Sequence, residues 1–260
     1  MLQTVNGLVL RQVRLPSEGS RKLSILTNNG ITEAFVNGAN RKNTTLQSAA
    51  QPLCYSQFVI FENRGSRSIN QAVPIELFFE LTNDIERLSL AQYLCELALA
   101  LVSGQDHNDE PLRLMLNALH LLSKNKREPE QIKAIAELRL MSLSGFMPDV
   151  LMCAVCGSYE HERMYFLPDE GRIVCAGCFK GTERSCELNR SALTAMRHIV
   201  LSPTEKIFSF RLGPGSQKLL SDASEAFLLA KTRRNFAALE FYKSMKRDNG
   251  EQSENESEQQ

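Results

Sequence analysis

Cys153-Ala154-Val155-Cys156-Gly157 and Cys175-Ala176-Gly177-Cys178 are the two stretches around which this chain is organised. Each is a C-x-x-C pair, and the 18 residues between Cys156 and Cys175 match the spacing of a four-thiolate zinc site. Two residues between cysteines let the backbone fold into a tight knuckle, so that both sulfurs point into one half of a tetrahedral shell. Small residues fill both knuckles, and a glycine beside the second sulfur can take the positive φ that such a turn often needs. Four thiolates leave no coordination position open, so the expected Zn(2+) is structural, held by Cys153, Cys156, Cys175 and Cys178. The competing reading is a redox or disulfide pair, but no thioredoxin-like βαβ pattern surrounds the motifs. Cys186 and His161 are close enough in sequence to act as substitute ligands, although neither lies in a knuckle. Cys54 and Cys95 sit in apolar runs and read as small core residues.

Outward from that centre, composition sets the class. A chain of 260 residues with 43 % hydrophobic and 23 % charged residues can bury a sizeable core and is expected to form more than one unit. No membrane span is expected: the most apolar window, Leu88 to Val102, is interrupted by Ser89, Gln92 and Glu96. The amino terminus lacks the basic start and apolar centre of a signal peptide, which points to a reducing cytoplasm. Thirty Lys/Arg balance thirty Asp/Glu, so polyanion binding has to come from local patches. Residues 1–80 hold eight Lys/Arg against five Asp/Glu, whereas residues 81–152 hold seven against ten. The first segment is the better candidate.

Residues 1–80 read as five short strands. Val5 to Leu15 is β-prone, and Lys22 to Thr27 alternates before Asn28-Asn29-Gly30, a hairpin turn signal. Ile31 to Val36 returns, Leu53 to Phe61 is a fourth strand, and Asn63-Arg64-Gly65-Ser66 turns into a fifth, Ser68 to Phe78. Pro74 marks an edge or a bulge there. Five strands with a longer third connection suit a closed OB-type barrel, with an SH3-like barrel not separable by periodicity. From Thr82 the period becomes helical. Asn83 with Glu86 is a capping-box signal for a largely buried helix, followed by helices opening at Pro111 and at Glu128-Pro129-Glu130, the latter stopping at Gly145. Leu188 to Leu201 reads as helix, Ser202 to Glu205 as a helix start, and Ser216 to Lys231 and Arg233 to Arg247 as a final helical pair. The expected class is therefore α+β and multidomain: an OB-fold barrel over 1–80, then a helical domain over 81–249 with an embedded four-cysteine zinc knuckle, its zinc module over 147–187. The acidic tail, 250–260, reads as disordered.

Several pieces in this order resemble the bacterial RecO recombination mediators. Gly7-Leu-Val-Leu-Arg11, Leu23 to Thr27 leading to Gly30, and Val36 to Lys42 are similar to that family's barrel. More specific is Glu137 to Leu140 through Leu143-Ser-Gly-Phe-Met-Pro-Asp149 into the first knuckle, with Tyr165-Phe-Leu-Pro168 and Gly171 before the second. The resemblance covers the chain except its tail. It implies a non-catalytic role in recombinational repair, with nucleoid association during repair: binding single- and double-stranded DNA, annealing complementary strands, contacting the single-strand-binding protein and RecR, and helping to load RecA, which is contacted indirectly. Where the family pattern has a Lys before Gly-Ala and a basic pair after it, this chain has Asn37 and Asn40, which leaves Arg41 and Lys42.

OB barrels hold single strands by a basic groove with aromatic platforms. Arg41 and Lys42, with Arg11, Arg14, Arg21 and Lys22, are the phosphate-contact candidates, against ordinary solvated charges. Phe35, Tyr55, Phe58 and Phe61 are the platform candidates, although strand aromatics are more often core. Lys231, Arg233 and Arg234, beside Phe227, Leu228, Phe236, Leu239, Phe241 and Tyr242, could rim an apolar groove for the acidic tail of the single-strand-binding protein; the alternative is a terminal helix with buried aromatics and solvated lysines. The chain carries no phosphate-loop, H-E-x-x-H or G-x-S-x-G motif. Two other function classes stay open on the residues alone. One is a zinc-ribbon enzyme that modifies nucleic acid, and the other is a protein-interaction adaptor without DNA contact.

Overall fold

In the computed structural model, described for residues 1–16, 19–37, 44–103 and 108–246, the chain opens with a 13-residue strand, β1 (Leu2–Arg14), that serves two neighbours. Its first half pairs antiparallel with β4 (Tyr55–Asn63), and its second half with β2 (Arg21–Thr27). The register shift between Val9 and Arg11 marks a bulge that bends β1 from one partnership toward the other. β3 (Gly30–Val36) and β5 (Ser66–Glu76) complete a closed barrel of order β1-β2-β3-β5-β4, the five-stranded OB-like barrel that the strand count and longer third connection suited. Gly30 opens β3 at φ 85°, so the Asn-Gly turn forms where the sequence places it.

Alternation decides what the barrel contains. Leu23, Ile25, Ala34, Val36, Phe58, Ile60 and Ile69 point inward, joined by Leu46 and Ala49 of a short helix, α1 (Thr44–Ala49), within the longer third connection. Each such side chain contributes roughly 1.5–3 kcal/mol by leaving water. Gly7 sits where no side chain fits: a Cβ there would lie 2.4 Å from Ile25 Cγ2 and 2.9 Å from the Leu26 carbonyl oxygen. The fourth strand begins at Tyr55 and not at Leu53, because Leu53 takes φ 64° in the turn, and its N–H donates to the Val9 carbonyl at 2.9 Å.

Two compact units result. The first joins Met1–Lys124 to Phe236–Gln260, of which residues up to 246 are described; the second is Asn125–Asn235. In the first unit, α2 (Ile85–Leu101) and α3 (Glu110–Ser123) follow the barrel, and both contact β1. The cap of α2 is Asp84, whose side chain accepts from the Arg87 N–H at 3.1 Å; a 3-10 turn, Phe79–Asn83, occupies the neighbouring residue that the capping-box pattern favoured. A last helix, α7 (residues 237–246), returns to this unit. The Ala237 and Ala238 N–H groups donate to the Glu96 carboxylate at 3.3 and 2.9 Å, and Phe236 meets Tyr93 edge-on at 6.0 Å.

The second unit packs α4 (Pro129–Leu143), α5 (Arg190–Leu201) and α6 (Pro214–Thr232) with a small sheet of β6 (Met164–Leu167), β7 (Arg172–Cys175) and β8 (Cys186–Leu188), order β7-β6-β8. Leu188 ends a strand and Asn189 caps α5, its side chain accepting from the Ala192 N–H, so this helix starts later than its apolar pattern implied. Ser202 to Glu205 forms turns without a helix. Between α4 and α6 lies a buried ionic cluster: Lys133 Nζ is 3.0 Å from Glu137 Oε1 and 2.9 Å from Glu225 Oε2, and the Ser224 hydroxyl donates to Glu137 Oε2 at 2.5 Å. Burial alone would lower the Lys133 pKa, but the two carboxylates outweigh it and hold the ammonium charged. No helix among the described residues is long and apolar enough to cross a membrane.

Candidate metal centre and nucleic-acid interface

The helix α4 ends at Leu143 with Ser144 as its cap, Gly145 turns at φ 88°, and the chain then runs into the first knuckle. Asp149 N–H donates to the Gly171 carbonyl at 2.7 Å, and Ala154 N–H to the Ile173 carbonyl at 2.9 Å, so this loop lies along β7. Within the knuckle, the Gly157 N–H closes back on the Cys153 carbonyl at 2.9 Å, with φ 72° at Gly157. β7 delivers Cys175 at its end, and the Cys178 N–H donates to the Cys175 carbonyl at 3.0 Å to form the second knuckle.

The four sulfurs of Cys153, Cys156, Cys175 and Cys178 all lie within 4.8 Å of one another, with Cys156 and Cys175 Sγ 3.7 Å apart. Four sulfurs at about 2.3 Å from a tetrahedral centre would stand about 3.8 Å apart, so the cluster has the dimensions of a metal site. A backbone donor is already aimed at it: the Cys175 N–H points to the Cys153 sulfur at 3.3 Å. Burial raises the Cys153 pKa, but the N–H groups of Cys156, Cys175 and Val155 outweigh it and bring it to about 6; hydrogen bonds with the Cys175 and Cys156 thiols push Cys178 up to about 12. Cys153 therefore gives up its proton before Cys178, and a thiol has to lose its proton to ligate a metal. Cys186 and His161 are not members of the cluster, and Cys54 and Cys95 are buried thiols, Cys95 pushed up to about 12 by burial.

Sequence reasoning missed Arg197. From α5 its Nε donates to the Val150 carbonyl at 2.8 Å, and its terminal nitrogen to the carbonyls of Leu151 and Tyr159 at 2.8 and 2.6 Å. The guanidinium also lies 4.0 Å from the Tyr159 ring centroid. One side chain thus ties both flanks of the first knuckle, and its fixed planar fork suits three acceptors at once. Nothing local in the helix sequence marks it, because an arginine in a helix is usually a solvated charge.

On the barrel, Arg11 and Arg14 are exposed, and Arg21 and Lys22 are half-buried. Arg14 and Arg21 are direct cross-strand partners, while Lys22 pairs with Glu33 at 2.6 Å. Arg41 and Lys42 lie outside the described residues. Phe58 is core, Tyr55 and Phe35 are half-buried, and Phe61 is 41 % exposed. In the helical unit, Lys231 Nζ donates to the Asp169 carbonyl at 2.7 Å, Arg233 caps α6 in a left-handed conformation, and Arg234 is exposed. Of the apolar neighbours expected to floor a groove, Phe227, Leu228, Phe236, Leu239 and Tyr242 are buried, and Phe241 is exposed.

Fold and site define a protein built from an OB-like barrel followed by helices that carry a four-cysteine, metal-type centre. The family models described as Recombination protein O N terminal and Recombination protein O C terminal match residues 1–78 and 82–240. The chain belongs to the RecO family of DNA repair proteins. It is 30 % identical to the DNA repair protein RecO of Acetivibrio thermocellus over 93 % of this chain and 96 % of that protein. The RecO proteins of Alkaliphilus metalliredigens and Symbiobacterium thermophilum are also 30 % identical, over 94 % and 92 % of this chain and 99 % and 96 % of theirs. A role in DNA repair and recombination follows from that membership.

Proposed function

We propose that this protein is a non-catalytic recombination mediator whose barrel holds DNA, single- or double-stranded, through phosphate contacts. The observation that carries this reading is the Arg14 and Arg21 pair. Like charges directly opposite on adjacent strands destabilise a sheet, and a polyanion relieves that repulsion. Arg11 and Lys22 add positive charge on the other face of the same two strands, and Arg41 and Lys42 follow β3 in sequence. Annealing complementary strands needs no catalytic group: one strand is held on a positive surface, and the repulsion of the second is screened.

The four-cysteine centre supports Zn(2+) in a structural role, since four thiolates complete its shell. Zinc there would tie the loop before β6 to the end of β7. Lys231, Arg233 and Arg234 are the proposed contact for the acidic tail of the single-strand-binding protein. RecR and, through the assembled complex, RecA are partners implied by the family resemblance. The test is annealing of complementary strands coated with single-strand-binding protein. Annealing without nucleotide is the expected result; a requirement for ATP, or a parent protein that binds neither strand, would overturn the reading.

A further inference from the structure

Tracing the ladder around the outside of the barrel gives one continuous row: Val13, Lys22, Phe35, Ser68, Phe61 and Leu2, each the cross-strand partner of the next. Partners across a ladder share a face, and the residues beside these in each strand fix which face it is. Leu23, Ala34, Val36 and Ile60 are wholly buried inside, so Lys22, Phe35 and Phe61 stand outside. Phe61 is 41 % exposed, Leu2 60 % and Val13 44 %, so the row holds several large apolar groups in water outside a barrel whose interior is already filled. The serine between the two rings carries almost no bulk, and its hydroxyl turns toward the Phe61 carbonyl at 3.5 Å.

We propose that Phe35 and Phe61 are stacking platforms for the bases of single-stranded nucleic acid, a proposal that rests on the nucleic-acid reading of the barrel. Two strand spacings separate their backbones by about 9–10 Å, with the low floor of Ser68 between them, which leaves room for each ring to take its own base. Lys22 stands next in the row. Its partner Glu33 is half exposed, and a surface pair of that kind is worth at most about 1 kcal/mol, so the ammonium is released to a phosphate at small cost. The row thus places a phosphate ligand and two base ligands along one outer face of the barrel, the combination that single-strand binding needs. Duplex DNA, with its bases already stacked, cannot use the two rings.

The chain contains no tryptophan, so Phe61→Trp supplies a single reporter whose emission should be quenched by oligo(dT). Phe61→Ala should weaken oligo(dT) binding roughly 5- to 150-fold. The salt dependence of binding should not change, because no phosphate contact is lost. Binding to duplex DNA and to an abasic oligomer should also stay as in the parent. Phe61→Tyr should restore oligo(dT) affinity, and Phe35→Ala should act in the same direction as Phe61→Ala. If the parent binds oligo(dT) and Phe61→Ala binds it equally well, the stacking site is refuted while phosphate binding stands. Equal losses on abasic and dT oligomers would also refute it. A parent that binds no oligomer overturns the nucleic-acid reading and the stacking site together.

Discussion

The barrel and the cysteine module are both small β structures, yet they are held together in opposite ways. Barrel strands of 13, 7, 7, 9 and 11 residues close on themselves and enclose a continuous apolar interior. The module's strands are 4, 4 and 3 residues long. A sheet that short cannot stand by itself in water, so cross-links replace ladder length. Its links are the Arg197 fork across three carbonyls and Tyr165 stacked on Phe179 at 4.3 Å between centroids, beside four clustered sulfurs that a bound metal would join. The contrast teaches that stability is spread over many residues in one region and concentrated in a few atoms in the other.

Removing one ligand should separate the two regions most sharply. Cys153→Ser or Cys175→Ser should release the metal and leave the protein insoluble or thermally weakened, since structural zinc can contribute on the order of 10 kcal/mol in small modules. The barrel should keep its strand signal in circular dichroism. About one zinc per chain is expected in freshly purified parent protein, and metal analysis well below that value would contradict the assignment. A smaller effect probes the barrel's distributed packing. Gly7→Ala forces a methyl group against Ile25 and the Leu26 carbonyl and should lower stability by about 1–3 kcal/mol in denaturant titration, without loss of metal. Unchanged stability would mean that the barrel relaxes at that point. Smallest is Arg41→Ala with Lys42→Ala, which should leave both folds intact and weaken single-strand binding similarly across sequences. Each lost phosphate contact should reduce the salt slope by about 0.7. An unchanged slope and affinity would move the site elsewhere on the barrel.

The same contrast governs what the sequence made legible. Barrel strands announce themselves by alternation, and the cysteine spacing points directly to the four-sulfur cluster, because both signals are written in residues close together. Decisions between neighbours were harder. Asn83 and Asp84 can both cap a helix, and the 3-10 turn before α2 selects Asp84. The six residues of α1 are too few for a helical period to emerge. Leu188 looks helical by hydrophobicity, but β6 claims it through Met164. Arg197 could not be read at all, since its partners lie 38 to 47 residues away along the chain. The outer row on the barrel is a property of register: its members are scattered from Leu2 to Ser68 and become neighbours only when all five strands are paired.

The return of residues 237–246 to the first unit has a consequence for the order in which the molecule can be made. Glu96 leaves the ribosome 141 residues before Ala237, whose N–H it will accept. At bacterial synthesis rates that interval is roughly 7 to 28 s. During it the barrel can close and the cysteine-bearing unit can be completed, while Tyr93 and Glu96 wait without the residues that cover them. The region whose amino end emerges first is therefore the last to be finished, and a chain truncated after Asn235 would hold every residue of the second unit and an unsealed first one.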